Sequence, residues 1–426
     1  MNRASDIVVT GIGVVSPLGI GSDAFWVSLR DGCSAVVRLT EYADGALPVP
    51  IGAPIQDFDP KHYVVPRKSI KVMSREIQMG FAAARLAVTD ARLAPDSIDP
   101  DRVGVTFGCD MLYCDLREMA DAFGACLVDG QFSFERWGPC GMQRLYPLWL
   151  LMYLPNMAAC HLAISFDARG PNNTITAGDA SALLAIIEGI MYLQRGWVDV
   201  MVVGGTGTRL NPTQLAYRSD SPLSHRIDDP AGACRPFDRD RDGMVNGEGA
   251  GAFVLETRSH AEARGAPIRA VIRGWGQGFN ANQHGWLHDG RGIESAIRAA
   301  LQTANYRPDA VGHVNAHGAA TRDDDRSEAA AIRRVLGDVP VTALKSYFGN
   351  LGAGSGAVEM AASLLAFQHR AVPPTRNYQT PDPECPVNVI TDRFLTSPPA
   401  TGSALVLSHS STGQTAALLV ENPVQD

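Results

Sequence analysis

The residue whose type and setting most suggest chemistry is Asp179, in the stretch GPNNTITAGDASALLAIIEG (170–189). A short β-branched run leads to small residues, and an apolar helix is expected to begin at about Asp179. A strand that turns sharply into a buried helix is a common way to present a nucleophile. The unpaired N–H groups of such a helix start favour an anion or an oxyanion. Asp179 is therefore a candidate catalytic residue, although a helix-capping Asp is the simpler interpretation of this stretch alone.

Three other segments stand out by their glycines and charged residues: RPFDRDRDGMVNGEGAGAFVLE (235–256), VNAHGAAT (314–321) and LKSYFGNLGAGSG (344–356). The second of them places His317 just after a short apolar strand. The third places Lys345 and Asn350 before a glycine-rich turn that opens a helix.

Together with the N-terminal IVVTGIGVVSPLG (7–19), these segments resemble the β-ketoacyl synthases, the condensing enzymes of fatty-acid and polyketide synthesis. The resemblance runs from about residue 7 to about residue 422 and rests on several separated motifs in the same order. It implies an α/β protein with a thiolase-like fold, in which two similar βα halves form a layered α/β/α/β/α core. We expect the N-terminal half to span residues 1–256 and the C-terminal half residues 257–426. The alternation of apolar strands with Ala-rich helices by itself indicates an α/β protein with mostly parallel sheets.

The resemblance also implies a role for each candidate residue. Asp179 falls where the family has its Cys nucleophile, in a motif usually written TACxS. His317 matches the His of HGTxT, and Lys345 matches the Lys of KSxxGHxxGAxG. Asn350 takes the place of the His in that last motif. The acidic pair that follows the first His motif is kept, as Asp325 and Glu328.

These replacements remove the residues that condensation needs. A carboxylate that attacks a thioester would give an anhydride, which is uphill and hydrolyses readily. Asn350 can donate an N–H to an oxyanion, but it cannot supply a proton. The Phe that gates the pocket in the family is also missing, because no Phe follows Phe394. The chain therefore resembles a degenerate ketosynthase of the chain-length-factor kind.

Two classes of function remain open. The first is a non-condensing, chain-length-factor-type subunit that pairs with an active ketosynthase and shapes a shared pocket. The second is an enzyme that decarboxylates or transfers acyl groups from acyl carrier protein, using His317 and Lys345 with Asp179 as a base. A homodimer that only binds acyl chains is a third alternative.

Composition excludes several other classes. The net charge of −8 argues against nucleic acid as the main partner. None of the 8 Cys forms a CxxC pair, so neither a zinc site nor a secreted disulfide framework is expected. No motif calls for a cofactor, and the N-terminus leads directly into a strand with no signal peptide, so we expect a cytoplasmic protein.

Two further segments bear on partners. The stretch LYPLWLLMYLPNMAACHLAI (145–164) is as long as a membrane span, but prolines interrupt it, so we expect a buried core or dimer-interface segment rather than a span. A basic cluster stands out in this acidic chain: Arg67, Lys68, Lys71 and Arg75. The resemblance implies that these cations dock an acidic acyl carrier protein, and the alternative is a solvated helix face.

Overall fold

The computed structural model describes residues 5–40, 47, 49–94, 98–217, 222–280, 289–391 and 393–423. Within them the strands are β1 (Ile7–Ser16), β2 (Gly19–Ile20), β3 (Val37–Arg38), β4 (Ile51–Gly52), β5 (Val103–Cys109), β6 (Leu127–Val128), β7 (Gln131–Phe132), β8 (Asn172–Ile175), β9 (Val200–Thr208), β10 (Glu248–Thr257), β11 (Ala270–Phe279), β12 (His313–Asn315), β13 (Pro340–Thr342), β14 (Asn388–Val389), β15 (Ser403–His409) and β16 (Gln414–Glu421). The α-helices are α1 (Ser22–Arg30), α2 (Arg75–Asp90), α3 (Leu116–Gly124), α4 (Met157–Phe166), α5 (Ser181–Gln194), α6 (Pro212–Tyr217), α7 (Arg258–Ala263), α8 (Arg291–Ala304), α9 (Arg322–Leu336), α10 (Lys345–Phe348) and α11 (Ser355–His369).

The main sheet has 12 strands and is mixed, in the order β14-β13-β12-β15-β16-β11-β1-β10-β9-β5-β8, with β2 beside β1. β5 runs parallel to β8 and β9, whereas β10 is antiparallel to both β9 and β1. The expectation of mostly parallel sheets is therefore wrong. The turn of residues 410–413 shows one reason, because it joins β15 to β16 and is too short for the crossover that parallel strands need.

The two ends of the sheet repeat one pattern. If the short strands β2 and β14 are left out and the other five strands of each half are numbered in chain order, β8-β5-β9-β10-β1 and β13-β12-β15-β16-β11 both have the order 3-2-4-5-1. In both halves the fifth strand is antiparallel to its two neighbours. This duplication confirms two similar βα halves, while a boundary between residues 256 and 257 stays a prediction.

A close approach of helix and strand recurs in both halves. A Cβ on Gly11 of β1 would lie 2.1 Å from the carbonyl oxygen of Ala87 in α2. A Cβ on Gly276 of β11 would lie 2.0 Å from the carbonyl oxygen of Ala296 in α8. Since no side chain fits at either distance, glycine lets α2 pack directly on β1 and α8 pack directly on β11.

The helices form three layers around the two halves of the sheet. α5 and α11 pack on each other in the centre, and Leu183 and Val358 belong to one shared core cluster. α2 and α4 cover the outer face of the N-terminal half, where Phe81 and Leu162 are buried. α8 and α9 cover the outer face of the C-terminal half. This arrangement is the expected layered α/β/α/β/α core.

The apolar segment 145–164 is only partly buried. Its helix α4 buries Ala158 and Leu162, whereas Ile164 is 74% exposed and Leu150 is 59% exposed. The segment 145–164, expected to be a buried core or dimer-interface segment, is therefore buried only on one face of α4. Among the helices of the described residues, none combines the length and the apolar character that a membrane crossing requires.

Candidate active site

Asp179 lies in the turn between β8 and α5, but it does not cap the helix. α5 begins at Ser181, and its N-cap residue is Ala180, which makes no side-chain cap. The Ser181 hydroxyl accepts the N–H of Ala177 at 2.8 Å, and Gly178 has a φ of 58°. The capping interpretation is therefore wrong, because this local turn is closed by Ser181 and the carboxylate points into the protein.

The Asp179 carboxylate is buried and fully engaged. Its Oδ1 pairs with the Arg209 guanidinium, and its Oδ2 accepts an N–H from Asn350 at 3.0 Å. His317 Nε2 lies 3.7 Å from the same Oδ2. Burial acts to raise the pKa of Asp179, but the charge of Arg209 and the hydrogen bond from Asn350 outweigh it, so the pKa lies below its ordinary value. Asp179 is therefore an ionised, ion-paired carboxylate at neutral pH.

Arg209 was not identified from the sequence. It follows the end of β9 directly and is buried, and a charged residue at the end of an apolar strand was the available signal. Burial disfavours its cation, but the carboxylates of Asp179 and Asp110 outweigh burial and raise the pKa of Arg209. Its Nε has no hydrogen-bond partner among the described residues. The pair thus leaves one buried N–H donor of Arg209 unused.

Lys345 holds His317 in one tautomer. Its ammonium contacts Glu359 Oε1 at 2.5 Å, the His317 carbonyl at 2.8 Å and His317 Nδ1 at 3.1 Å. Because Lys has three N–H donors and no acceptor, Nδ1 accepts and the ring proton sits on Nε2, which faces Asp179. Burial and then the charge of Lys345 lower the pKa of His317 well below its ordinary value. His317 is therefore a neutral imidazole that offers only a donor to the site.

A second imidazole stands beside the first. His409, at the end of β15, has its ring centroid 4.2 Å from that of His317. Burial acts to lower the pKa of His409, but Glu328 outweighs it and the pKa is raised. Glu328 also accepts the backbone N–H groups of His317 at 2.7 Å and Gly318 at 2.8 Å, which fixes the loop after β12. His409 was missed because nothing local in SHSSTG marks it as a neighbour of His317.

Asn350 is oriented by its own amide oxygen. Oδ1 accepts the N–H of Gly352 at 2.9 Å and the hydroxyl of Ser355 at 3.2 Å, so Nδ2 must face Asp179. The structure therefore brings together all four residues singled out from the sequence: Asp179, His317, Lys345 and Asn350. Within this group the carboxylate of Asp179 is ion-paired and hydrogen-bonded rather than free.

The basic cluster is divided between side chains that are free of Glu248 and one, Arg75, that pairs with it at the surface. Arg67, Lys68 and Lys71 are exposed on a 3₁₀ turn before α2. Arg75 donates instead to Glu248, at 2.8 Å from Nε and 2.7 Å from Nη2. Across the described part of the chain, no three His, Cys, Asp or Glu side chains are grouped as a metal site requires.

This fold and this site define a condensing-enzyme relative: the chain belongs to the β-ketoacyl synthase family. The family's N-terminal domain matches residues 4–261, and its C-terminal domain matches residues 269–379. The chain is 35% identical over 395 residues to the tetracenomycin polyketide synthase ketoacyl synthase alpha subunit of Streptomyces glaucescens, covering 90% of each. It is 34% identical over 390 residues to 3-oxoacyl-[acyl-carrier-protein] synthase 2 of Synechocystis sp., again covering 90% of each.

Solved structures agree with this assignment. A β-ketoacyl synthase from Burkholderia phymatum has a TM-score of 0.87 and 28% identity, covering 98% of this chain and 99% of that one. The ishigamide ketosynthase/chain length factor has a TM-score of 0.86 with the same identity and coverage. A type II polyketide ketosynthase in complex with its acyl-carrier protein has a TM-score of 0.84, also at 28% identity with the same coverage. The thiolase-like fold is confirmed, and the relatives belong to polyketide and fatty-acid synthesis.

Proposed function

We propose that this chain is a non-condensing, chain-length-factor-type subunit that pairs with an active ketosynthase. The observation that carries the proposal is the buried ion pair of Asp179 with Arg209, at the position that the resemblance assigns to the nucleophile. A thiolate accepts an acyl group from a carrier thioester, whereas this carboxylate is stabilised as an anion and would form only an unstable anhydride.

Neither His317 nor Asp179 is a free base, which supports the same proposal. The acceptor nitrogen of His317 is occupied by Lys345. The two oxygens of Asp179 accept from Arg209 and Asn350. A general base needs an accessible lone pair and a pKa near the working pH, and Asp179 has neither. Acyl transfer with Asp179 as the base is therefore the less favoured enzyme mechanism.

An exposed apolar face supports pairing with a second subunit. β8 ends the main sheet, and no described strand pairs with its outer side. α4 packs beside β8, and Ile164 on this helix is largely exposed. Neighbouring parts of the chain expose further apolar side chains: Leu116, Phe134, Leu148 and Leu150. Because an open strand edge beside apolar side chains is normally covered, we propose that a ketosynthase subunit covers this face.

We further propose that acyl carrier protein docks at Arg67, Lys68 and Lys71. The three side chains are exposed on one short 3₁₀ turn. Opposite charges on two partners steer their encounter and orientation, and carrier proteins are acidic. Arg75 is assigned a structural role instead, because its guanidinium is bound by Glu248.

The test uses this chain co-purified with an intact Cys-His-His ketosynthase, such as one encoded in the neighbouring reading frame. Intact-mass spectrometry after incubation with acyl-loaded carrier protein should find the acyl group on the partner's Cys only. A partner with that Cys changed to Ala should show no adduct on either chain. An acyl adduct on Asp179, or on any Cys of this chain, would contradict the proposal.

A second candidate, decarboxylation of a malonyl thioester, is favoured by one observation. The Nε2–H of His317 and the Nδ2–H of Asn350 that Asp179 does not accept are donors for an enolate oxygen, and loss of CO₂ requires no base. Mass spectrometry of malonyl-loaded carrier protein, incubated with this chain alone, separates the candidates. Conversion to the acetyl form that disappears in His317→Ala would favour decarboxylation. No conversion would favour the partner role.

A further inference from the structure

We propose that a cavity at the C-terminal end of α11 binds a small amphiphilic anion, an alkyl chain that carries a carboxylate head. The cavity has a volume of about 430 Å³. Small-molecule sites usually have volumes of about 300–1,000 Å³, so the cavity is large enough for one such ligand. The inference goes beyond the proposed function, because it concerns a second site on the same chain.

The cavity is separate from the candidate active site. α11 begins at Ser355, whose hydroxyl donates to Asn350 Oδ1 in that site. The helix ends at His369, next to Arg370, which lines the cavity. Its 15 residues rise by about 1.5 Å each, so the two ends are about 22 Å apart. A ligand in the cavity therefore does not touch Asp179.

The floor of the cavity is apolar and belongs to the protein core. Ile12, Leu364 and Phe367 line the cavity and are 4%, 1% and 2% exposed. All three side chains are members of one large core cluster, so packing holds them in place. The floor is therefore formed before a ligand arrives, and an alkyl chain laid on it would bury further apolar surface.

Backbone hydrogen bonds fix the walls of the cavity. The N–H of Asn422, which follows β16, donates to the carbonyl of Gly402 at 2.8 Å, and this ties it to the loop that contains Thr401. The N–H of Arg269 donates to the carbonyl of Val9 in β1 at 2.7 Å. Asn422, Thr401 and Arg269 all line the cavity. Their positions are thus set by the fold, and a ligand would not have to order them.

The charges of the lining residues select the head group of the ligand. Two arginines line the cavity, and none of its described lining residues is Asp or Glu, although the chain has a net charge of −8. Arg370 is exposed and has no ion pair among the described residues. Arg269 donates to Asp90 through Nε at 3.3 Å and Nη2 at 2.5 Å, which leaves its Nη1 free of Asp90.

A carboxylate suits this pair of guanidinium groups. A guanidinium binds a carboxylate through two parallel N–H bonds, and these charge-assisted bonds are stronger than neutral ones. An ammonium head would be repelled by Arg370 and would find no carboxylate on the described lining. A cation at the C-terminal end of a helix is also stabilising by itself, so the test must measure ligand binding and not stability alone.

The test compares two probes of similar length and opposite head charge, octanoate and octylammonium. Each is titrated into the full-length chain and followed by ligand-observed NMR. We expect saturable binding of octanoate with a Kd of about 1 mM or below, as befits a ligand of this size. Octylammonium should bind at least about tenfold more weakly, because the head group loses its charge-assisted bonds.

Two variants place the probe in this cavity. Arg370→Gln removes the unpaired cation, so the affinity for octanoate should fall about tenfold. Thr396→Trp puts an indole at the exposed edge of the cavity and should prevent binding. Arg393→Gln is the matched control, because Arg393 is also exposed but does not line the cavity. Its affinity for octanoate should equal that of the wild type, although it loses the same unit of charge.

Equal binding of the two probes by the wild-type chain, or no saturable binding of octanoate up to about 10 mM, overturns the inference without any variant. An affinity for octanoate that Arg370→Gln leaves unchanged, or that Arg393→Gln lowers by the same factor, also overturns it. None of these results touches the proposed function, which fails only if an acyl group is found covalently on this chain.

Discussion

Changing Asp179 to Asn removes one charge from a buried ion pair and leaves the size of the side chain almost unchanged. The side chains of Asp179 and Arg209 are 8% and 7% exposed, so water cannot compensate Arg209 once the carboxylate is gone. Removing one partner of a buried pair costs about 3–5 kcal/mol of the free energy of unfolding. We expect about 3 kcal/mol, at the low end of this range, because Asp110 still interacts with Arg209.

The assay is guanidinium denaturation at neutral pH, with Asp199→Asn as the matched control. Asp199 pairs with Arg102 at 2.6 Å, but the two side chains are 39% and 35% exposed. An exposed pair contributes about 0–1 kcal/mol, so the control should unfold almost like the wild type. If Asp179→Asn is no more destabilised than Asp199→Asn, the ion pair does not hold the site and the reasoning is refuted. A helix-capping Asp would give this same result, because Asn caps equally well.

The pH dependence of this cost has a defined sign. The pKa of Asp179 is lowered in the folded protein, so its contribution to stability is complete above the ordinary pKa of the carboxyl group. It is lost only as the pH falls through the lower, folded-state pKa. The difference between wild type and Asp179→Asn should therefore stay constant from about pH 5 to about pH 8 and shrink below about pH 4. A difference that grows across the neutral range would mean that Asp179 titrates there.

Three further changes test other parts of the site and surface. Asp179→Cys places a thiol beside Arg209, and the charge of Arg209 should lower the pKa of this thiol below about 8.5. Iodoacetamide should therefore alkylate the new thiol at neutral pH faster than it alkylates the native cysteines. Alkylation that rises only above about pH 8.5 would contradict this. Lys345→Met removes the cation beside Glu359, and burial already raises the pKa of Glu359 to about 7. Since a raised carboxyl pKa disfavours the ionised form in the folded state, the variant should lose more stability than the wild type as the pH rises from about 5 to 8. Equal losses in the two proteins would be evidence against the pairing. Ile164→Glu changes an exposed side chain, so it should alter the stability of the isolated subunit by less than about 0.5 kcal/mol. It should still weaken association with a ketosynthase in light scattering, and unchanged association would remove this face from the interface.

The sequence by itself determined the family, the thiolase-like fold and the four residues at the centre of the site. Local patterns carry this information, because apolar runs define strands and helices, and short motifs keep their spacing along the chain. The position of Asp179 between a strand and a helix was predictable for the same reason. The mixed direction of the strands was not, since strand direction depends on which strands become neighbours.

Only the tertiary structure decided what Asp179 does. Its partners Arg209 and Asn350 lie 30 and 171 residues away along the chain, and no local pattern links them. The sequence offered a cap or a catalytic base, and the fold instead supplied a cation where the end of β9 meets the start of α5. His409 came to His317 in the same way, because β15 and β12 are neighbours in the sheet. Burial then set the charges, since only pairing allows a carboxylate and a guanidinium to remain ionised away from water.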